Sequence, residues 1–245
     1  MHYQAMQMKR LVPKPVKTLL RKAVNAIIPS ETIDASKKKW NELGSKNPRY
    51  YVLTDYGEKI TEEKFKEAGK KDYRDLIEND GLLKERLSPF KEKTVLEIGC
   101  GIGRITFFIA NHFKSVTGID ISESMIHEAK ERLSNTTNAT LVATDGLQYP
   151  FPENTFDFVF SFIVFQHMPD RKTIQSNIQE IGRVLNPRGI AKIQLRGLPT
   201  SKKNWFYGPS FTSKDLPSLL ENSNLSVIKT EGVGSRYFWV WLSKN

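Results

Sequence analysis

Thr94-Val95-Leu96-Glu97-Ile98-Gly99-Cys100-Gly101-Ile102-Gly103-Arg104 decides how the rest of this 245-residue chain is read. An apolar, partly β-branched run carries an acid near its end. Three glycines follow at alternate positions, and an apolar-periodic stretch then runs from Ile105 to Phe113. The pattern predicts strand, tight turn and helix. Glycine gives the turn its φ > 0 freedom and removes the Cβ that would hold a ligand off the backbone. The helix start offers unpaired N–H groups and a positive dipole end. Such a turn cradles one end of a nucleotide-like ligand at the carboxyl edge of a parallel sheet. The dinucleotide fingerprint needs glycine at the third position after its second glycine. Arg104 stands there instead. Taken alone, the stretch leaves open a tight turn with no ligand.

Length suits one α/β domain with an appendage, or two small domains. Hydrophobic residues make up 39% of the chain, too many for a disordered polypeptide. The single cysteine, Cys100, excludes an internal disulfide. With four scattered histidines it also leaves no zinc-like cluster, so no metal is expected. Cys100 reads as a small filler of the turn rather than a nucleophile. The net charge is +10, unevenly spread: residues 1–46 hold ten Lys/Arg against three acids, and the other 199 residues hold 27 against 24. A nucleic-acid enzyme more often carries a basic stripe across its main domain. Nucleic acid is therefore an unlikely partner.

Downstream, Ser115 to Asp120 reads as a second strand ending in an acid. Ile121 follows, and Ser122-Glu123-Ser124-Met125 opens a helix. A carboxylate there can accept from both hydroxyls of a ribose, and Ile121 and Met125 offer apolar contacts to an adenine. A third strand, Ala139 to Ala143, leads into Thr144-Asp145-Gly146. The fourth, Phe156 to Phe162, is nearly all apolar, as a strand buried on both faces should be. A helix is expected over Asp170 to Leu185, a turn at Asn186 to Gly189 and a fifth strand at Ile190 to Leu195. An aromatic, turn-rich insert from Arg196 precedes a helix at Thr212 to Asn222 and strands at Leu225 to Thr230 and Tyr237 to Leu242. Upstream, Lys64 to Leu87 is helical and Pro89 closes it.

Glu97 with its glycine turn, Asp120, Asp145 and the Arg183-Val184-Leu185-Asn186-Pro187-Arg188-Gly189 stretch together resemble the class I S-adenosylmethionine-dependent methyltransferases. The resemblance implies a Rossmann-like three-layer α/β/α sandwich. Its seven-stranded, mostly parallel sheet would have the order 3-2-1-4-5-7-6, with strand 7 antiparallel. The implied cofactor is S-adenosyl-L-methionine, leaving S-adenosyl-L-homocysteine as product. Gly99, Cys100 and Gly101 would approach it by backbone, and Glu97 would orient its methionine end. Asp120 would hold the ribose, and Asp145, beside Gly146, would accept from the adenine amino group. A turn-forming Asp-Gly is the alternative for Asp145. Ser161, through its carbonyl, and Phe162 would lie near the sulfonium, with core packing an equal alternative for Phe162. His167 is the one histidine near that edge. It reads either as a general base for a hydroxyl acceptor or as a histidine hydrogen-bonded behind strand 4.

The expected organisation is a basic amphipathic segment at 1–29, a helical extension at 30–90 and the catalytic domain at 91–245. Trp40 and Asn47 to Asp55 resemble the N-terminal extension of a bacterial branch of the family, where such helices form a lid over the cofactor. The Gly-Gly often seen after the Asp is replaced here by Tyr56-Gly57-Glu58. Within 1–29, Val16, Leu19, Leu20, Ala23, Val24, Ile27 and Ile28 recur at helical spacing opposite Lys14, Lys17, Arg21 and Lys22. Three readings compete: a packing helix, a helix on an anionic membrane surface, and an organelle transit segment. The stretch is too short and too charged to span a bilayer. A cytoplasmic enzyme, peripheral at the inner membrane surface under the second reading, is expected. It would methylate an O or N atom of a small molecule or of a glycan- or lipid-linked intermediate. The alternatives are a non-catalytic S-adenosylmethionine-binding regulator and, more remotely, a nicotinamide-dependent oxidoreductase. The oligomeric state is not readable.

Overall fold

The computed structural model describes residues 32–54, 57–198 and 206–244. The basic segment expected at 1–29 lies outside them. The first described elements are α1 (Ile33–Lys46), α2 (Pro48–Val52) and α3 (Glu62–Tyr73). A π-helical turn (Arg74–Glu78) and α4 (Gly81–Leu87) follow. Then come β1 (Thr94–Ile98), α5 (Thr106–His112), β2 (Ser115–Asp120), α6 (Glu123–Arg132), β3 (Ala139–Ala143), β4 (Phe156–Ser161), α7 (Arg171–Val184), β5 (Leu185–Leu195), α8 (Leu216–Leu219), β6 (Leu225–Glu231) and β7 (Phe238–Lys244).

The strands form one sheet in the order β3-β2-β1-β4-β5-β7-β6, with β7 antiparallel to both neighbours. The order and the antiparallel strand are those the family resemblance implies. Alternate residues of a strand point to opposite faces, and the core divides accordingly. Leu96, Val159 and Ala191 pack on one side with Ile174, Ile178 and Ile181 of α7. Val95, Phe158, Phe160 and Ile190 pack on the other with Ile105, Phe108 and Ile109, and with Tyr73, Ile77, Leu83 and Leu87. The helical extension thus supplies four of the fifteen buried residues of that second cluster. Residues from Thr32 onward form a single compact unit. No helix among the described residues is long and apolar enough to cross a membrane.

Three elements differ from expectation. The helical region expected over 64–87 is divided at Asn79-Asp80-Gly81, where the Asp80 carboxylate caps α4 by accepting from the N–H groups of Leu82 and Leu83. Its other oxygen is buried, accepting from Lys192 Nζ at 2.7 Å and Trp241 Nε1 at 2.9 Å. Asn186 to Gly189 is a bulge within β5: between Phe156↔Leu185 and Phe158↔Ile190 the register jumps, and Arg188 turns at φ +66°. The helix expected over 212–222 is shortened to a 3-10 turn (Ser213–Asp215) and α8, and Asn222 beyond it lies at φ +61°.

Candidate active site

β1, β2 and β4 end side by side, and a cleft of about 1400 Å³, counted with its open mouth, lies over their carboxyl ends. At its centre is the glycine turn. Gly99 sits at φ +71°, and a Cβ on it would lie 2.1 Å from Val164 Cγ2. Gly101, at φ +54°, has Val52 of α2 against it. Both positions require the left-handed region and a bare backbone.

Asp120 ends β2 and faces this turn. One carboxylate oxygen accepts from Gly101 N at 2.9 Å, and the other from Ser122 N at 2.9 Å. Burial raises its pKa, and the backbone N–H groups of Ser122, Gly101 and Ile121 oppose the rise. Glu97, only 4% exposed, accepts from the Thr106 hydroxyl at 2.6 Å. Burial pushes it up to about 7, against the opposing effects of Thr106 and the Arg104 charge. The Arg104 guanidinium is buried and paired with Asp72 of α3. The residue that breaks the dinucleotide spacing thus ties the extension to the turn.

Of the residues singled out from sequence, Glu97, Gly99, Cys100, Gly101, Asp120, Ile121, Met125, Gly146, Phe162 and His167 line the cleft. Asp145 and Ser161 do not. Asp145 is exposed, and its Oδ1 accepts from the N–H groups of Leu147 and Gln148, so the turn-forming alternative describes its placement. Ser161 is buried, its hydroxyl donating to the Ile98 carbonyl at 3.0 Å and tying β4 to β1.

His167 is 6% exposed and engaged through both ring nitrogens. Nδ1 lies 2.5 Å from the Phe206 carbonyl, to which its N–H donates, and Nε2 faces the Gln166 amide nitrogen at 3.0 Å. Burial first, and then the charges of Arg196 and Arg236, lower its pKa to about 4, despite the Phe206 hydrogen bond. Gln166 in turn contacts Gln194, whose side-chain oxygen accepts from Ile163 N at 3.0 Å. That last bond holds Ile163 at φ +58°, a strained conformation for a β-branched residue, within the cleft wall.

Trp40, expected in the lid segment, is joined by two contributors that sequence reasoning missed, Asn41 and Asn177. Trp40 of α1 lines the cleft and meets His167 edge-on, with ring centroids 5.7 Å apart. Asn41 seats α1 on the start of α6, its side-chain oxygen accepting from Ser122 Oγ at 3.0 Å and Ser124 N at 3.2 Å. Asn177 of α7 donates to the Gly146 carbonyl at 2.8 Å and accepts from Tyr149 Oη at 2.8 Å, fixing the turn after β3. Such partners lie far apart in sequence, and no local pattern marks them.

The site fits an adenosyl ligand with an amino-acid tail: a bare glycine turn, a carboxylate at the end of β2, apolar Ile121 and Met125 beyond it, and buried Glu97. Comparison with known proteins agrees. Residues 95–189 match the model of a methyltransferase domain. An Aspergillus nomiae protein, O-methyltransferase rstn1, is 30% identical over 156 residues, covering 59% of this chain and 69% of that protein. Phosphoethanolamine N-methyltransferase 2 of Caenorhabditis elegans is 38% identical over 117 residues, covering 46% of this chain and 26% of its own length. The chain spans only about a quarter to a half of the first curated relatives it matches. Among solved structures, Haemonchus contortus phosphoethanolamine N-methyltransferase 1, in complex with phosphoethanolamine and S-adenosylhomocysteine, superimposes with a TM-score of 0.65 at 18% identity. That match covers 88% of this chain and 50% of the other, and bears on the fold alone. The chain belongs to the class I S-adenosylmethionine-dependent methyltransferases, and its cofactor is S-adenosylmethionine. This sets aside the nicotinamide alternative.

Proposed function

We propose that the chain transfers a methyl group to an oxygen or nitrogen of a small acceptor, free or as the reacting end of a glycan- or lipid-linked intermediate. The observation that carries this reading is the continuity of the cleft. One space runs from the glycine turn and Asp120, past Phe162, to an end walled by Trp40, His167 and Phe206. The cofactor supplies a methyl group already activated by sulfonium charge. The protein must then chiefly align the acceptor behind it and keep water out.

Asp120 is placed to hold the ribose, with its carboxylate fixed by two backbone donors. Glu97 is placed to hold the amino group of the methionine tail. α1 and α2 act as the lid, fastened through Asn41 and through Val52 on the turn. His167 is a positioning residue in this reading. An imidazole that takes up a proton only near pH 4 is a poor base at neutral pH. Its rings and hydrogen bonds hold Trp40 and the 206 segment in place. Transfer of label from methyl-labelled S-adenosylmethionine to hydroxyl and amine acceptors tests the reading. No transfer to any member of a broad panel, despite cofactor binding, would favour a non-catalytic regulator.

Attachment of segment 1–29 to the inner surface of an anionic membrane is proposed from its charge pattern alone. Full-length protein that ignores phosphatidylglycerol vesicles at low salt would sink it.

A further inference from the structure

Among the described residues, four charged ones line the cleft, Glu97, Arg104, Asp120 and Arg236, and Arg104 is already paired with Asp72. The two carboxylates, Glu97 and Asp120, both lie at the glycine-turn end. Arg236 lines the same cleft next to Tyr237, which packs against Phe162, and its charge is felt at His167. Arg236 is exposed, and its guanidinium lies 5.4 Å from the Tyr237 ring centroid. Behind it, the Arg196 guanidinium packs over Tyr207 at 4.5 Å, and its Nε donates to the Leu198 carbonyl. Among the described residues neither arginine has a carboxylate within ion-pair distance.

The two cations also act on their neighbours. Burial lowers the Arg196 pKa, Tyr207 opposes this, and the Arg236 charge lowers it further; after burial, both arginines lower that of His167. Two guanidinium groups without a carboxylate partner, exposed at Arg236 and half-buried at Arg196, are free to take an anionic ligand. Guanidinium forks bind carboxylates and phosphates through charge-assisted, often bidentate hydrogen bonds.

We infer that the methyl acceptor is an anion, whose carboxylate or phosphate group docks on Arg236 while its apolar body lies against the wall formed by Trp40, His167 and Phe206. The inference rests on the methyltransferase reading and narrows its acceptor. Arg236 then both anchors the acceptor and selects against neutral analogues. Arg196 stiffens the site and adds to its field.

The test is calorimetric titration of the full chain, saturated with S-adenosylhomocysteine, at fixed ionic strength. The probes are phenyl phosphate, benzoate and the neutral benzamide. The expected result is saturable binding of at least one anion, with benzamide about tenfold weaker or worse. Arg236→Gln should weaken the anion about tenfold, the scale of one charge-assisted contact. Arg236→Lys should recover part of the loss. The stronger of the two anions identifies the group. Absence of saturable anion binding, equal binding of benzamide, or anion affinity unchanged in Arg236→Gln would overturn the inference and leave the cofactor reading intact. Failure of S-adenosylhomocysteine itself to bind would overturn both. Its undiminished binding to each variant shows that the variant is folded.

Discussion

Glu97→Gln should make the protein more stable at pH 8 and leave it nearly unchanged at pH 5. Glu97 is almost wholly buried, and its pKa rises from 4.5 to about 7, chiefly because burial penalises the charged form. Between those values the native chain binds the proton that the unfolded chain releases. Stability therefore falls as pH rises through this window and is level below it. At about 1.4 kcal/mol per pH unit, the loss is at most about 3 kcal/mol. Glutamine has the same shape, can still accept from Thr106 Oγ1 and carries no charge to bury. Urea unfolding of both proteins at pH 5, 6, 7 and 8 isolates the effect, because titrations elsewhere cancel in the difference. The expected difference opens in favour of the variant above pH 5 and reaches 1–3 kcal/mol, an order-of-magnitude range, by pH 8. A variant that loses stability relative to wild type as pH rises would refute the reasoning. It would mean that Glu97 is ionised and stabilised by Arg104, with burial the lesser effect.

Other consequences are as direct. Gly99→Ala forces a Cβ to 2.1 Å from Val164 at φ +71°, and should cost more than about 2 kcal/mol by chemical denaturation. Gly81→Ala, at the start of α4 with open space around it, should be neutral or mildly stabilising in the same assay. Lys192→Met leaves the buried Asp80 carboxylate without its cationic partner and should cost about 3–5 kcal/mol. Adding Asp80→Asn should recover part of that loss. His167, held neutral by burial, should show no imidazole titration above pH 5 in a ring-nitrogen NMR titration. A midpoint near 6.5 would place it in solvent.

The sheet was legible because its central strands are buried on both faces, so Thr94 to Ile98 and Phe156 to Phe160 stand out as apolar runs between turn signals. Asp120 was legible because a carboxylate at that strand end has a position as well as a chemistry. Asp145 takes the turn that an Asp-Gly pair favours, its Oδ1 accepting from Leu147 N and Gln148 N. The break at Asp80 was hidden inside a good helical pattern. Its cause lies 112 and 161 residues away, in Lys192 and Trp241. Ile163 was invisible for the same reason: a left-handed isoleucine is set by Gln194, 31 residues on, and not by its neighbours. The aromatic wall joins residue 40 to residues 167 and 206 across three separate segments. Local periodicity reports burial, and it does not report which distant side chains meet.

Calorimetric titration with S-adenosylmethionine and S-adenosylhomocysteine, on wild type and on Asp120→Ala, tests the central claim most directly. Asp120 presents the cleft's best-placed carboxylate, with both oxygens pinned by backbone donors at 2.9 Å. The account predicts micromolar, saturable binding of both compounds to wild type and loss of both in the variant, with the fold of the variant checked by circular dichroism. Absence of binding to wild type, or an affinity unchanged by Asp120→Ala, would contradict it.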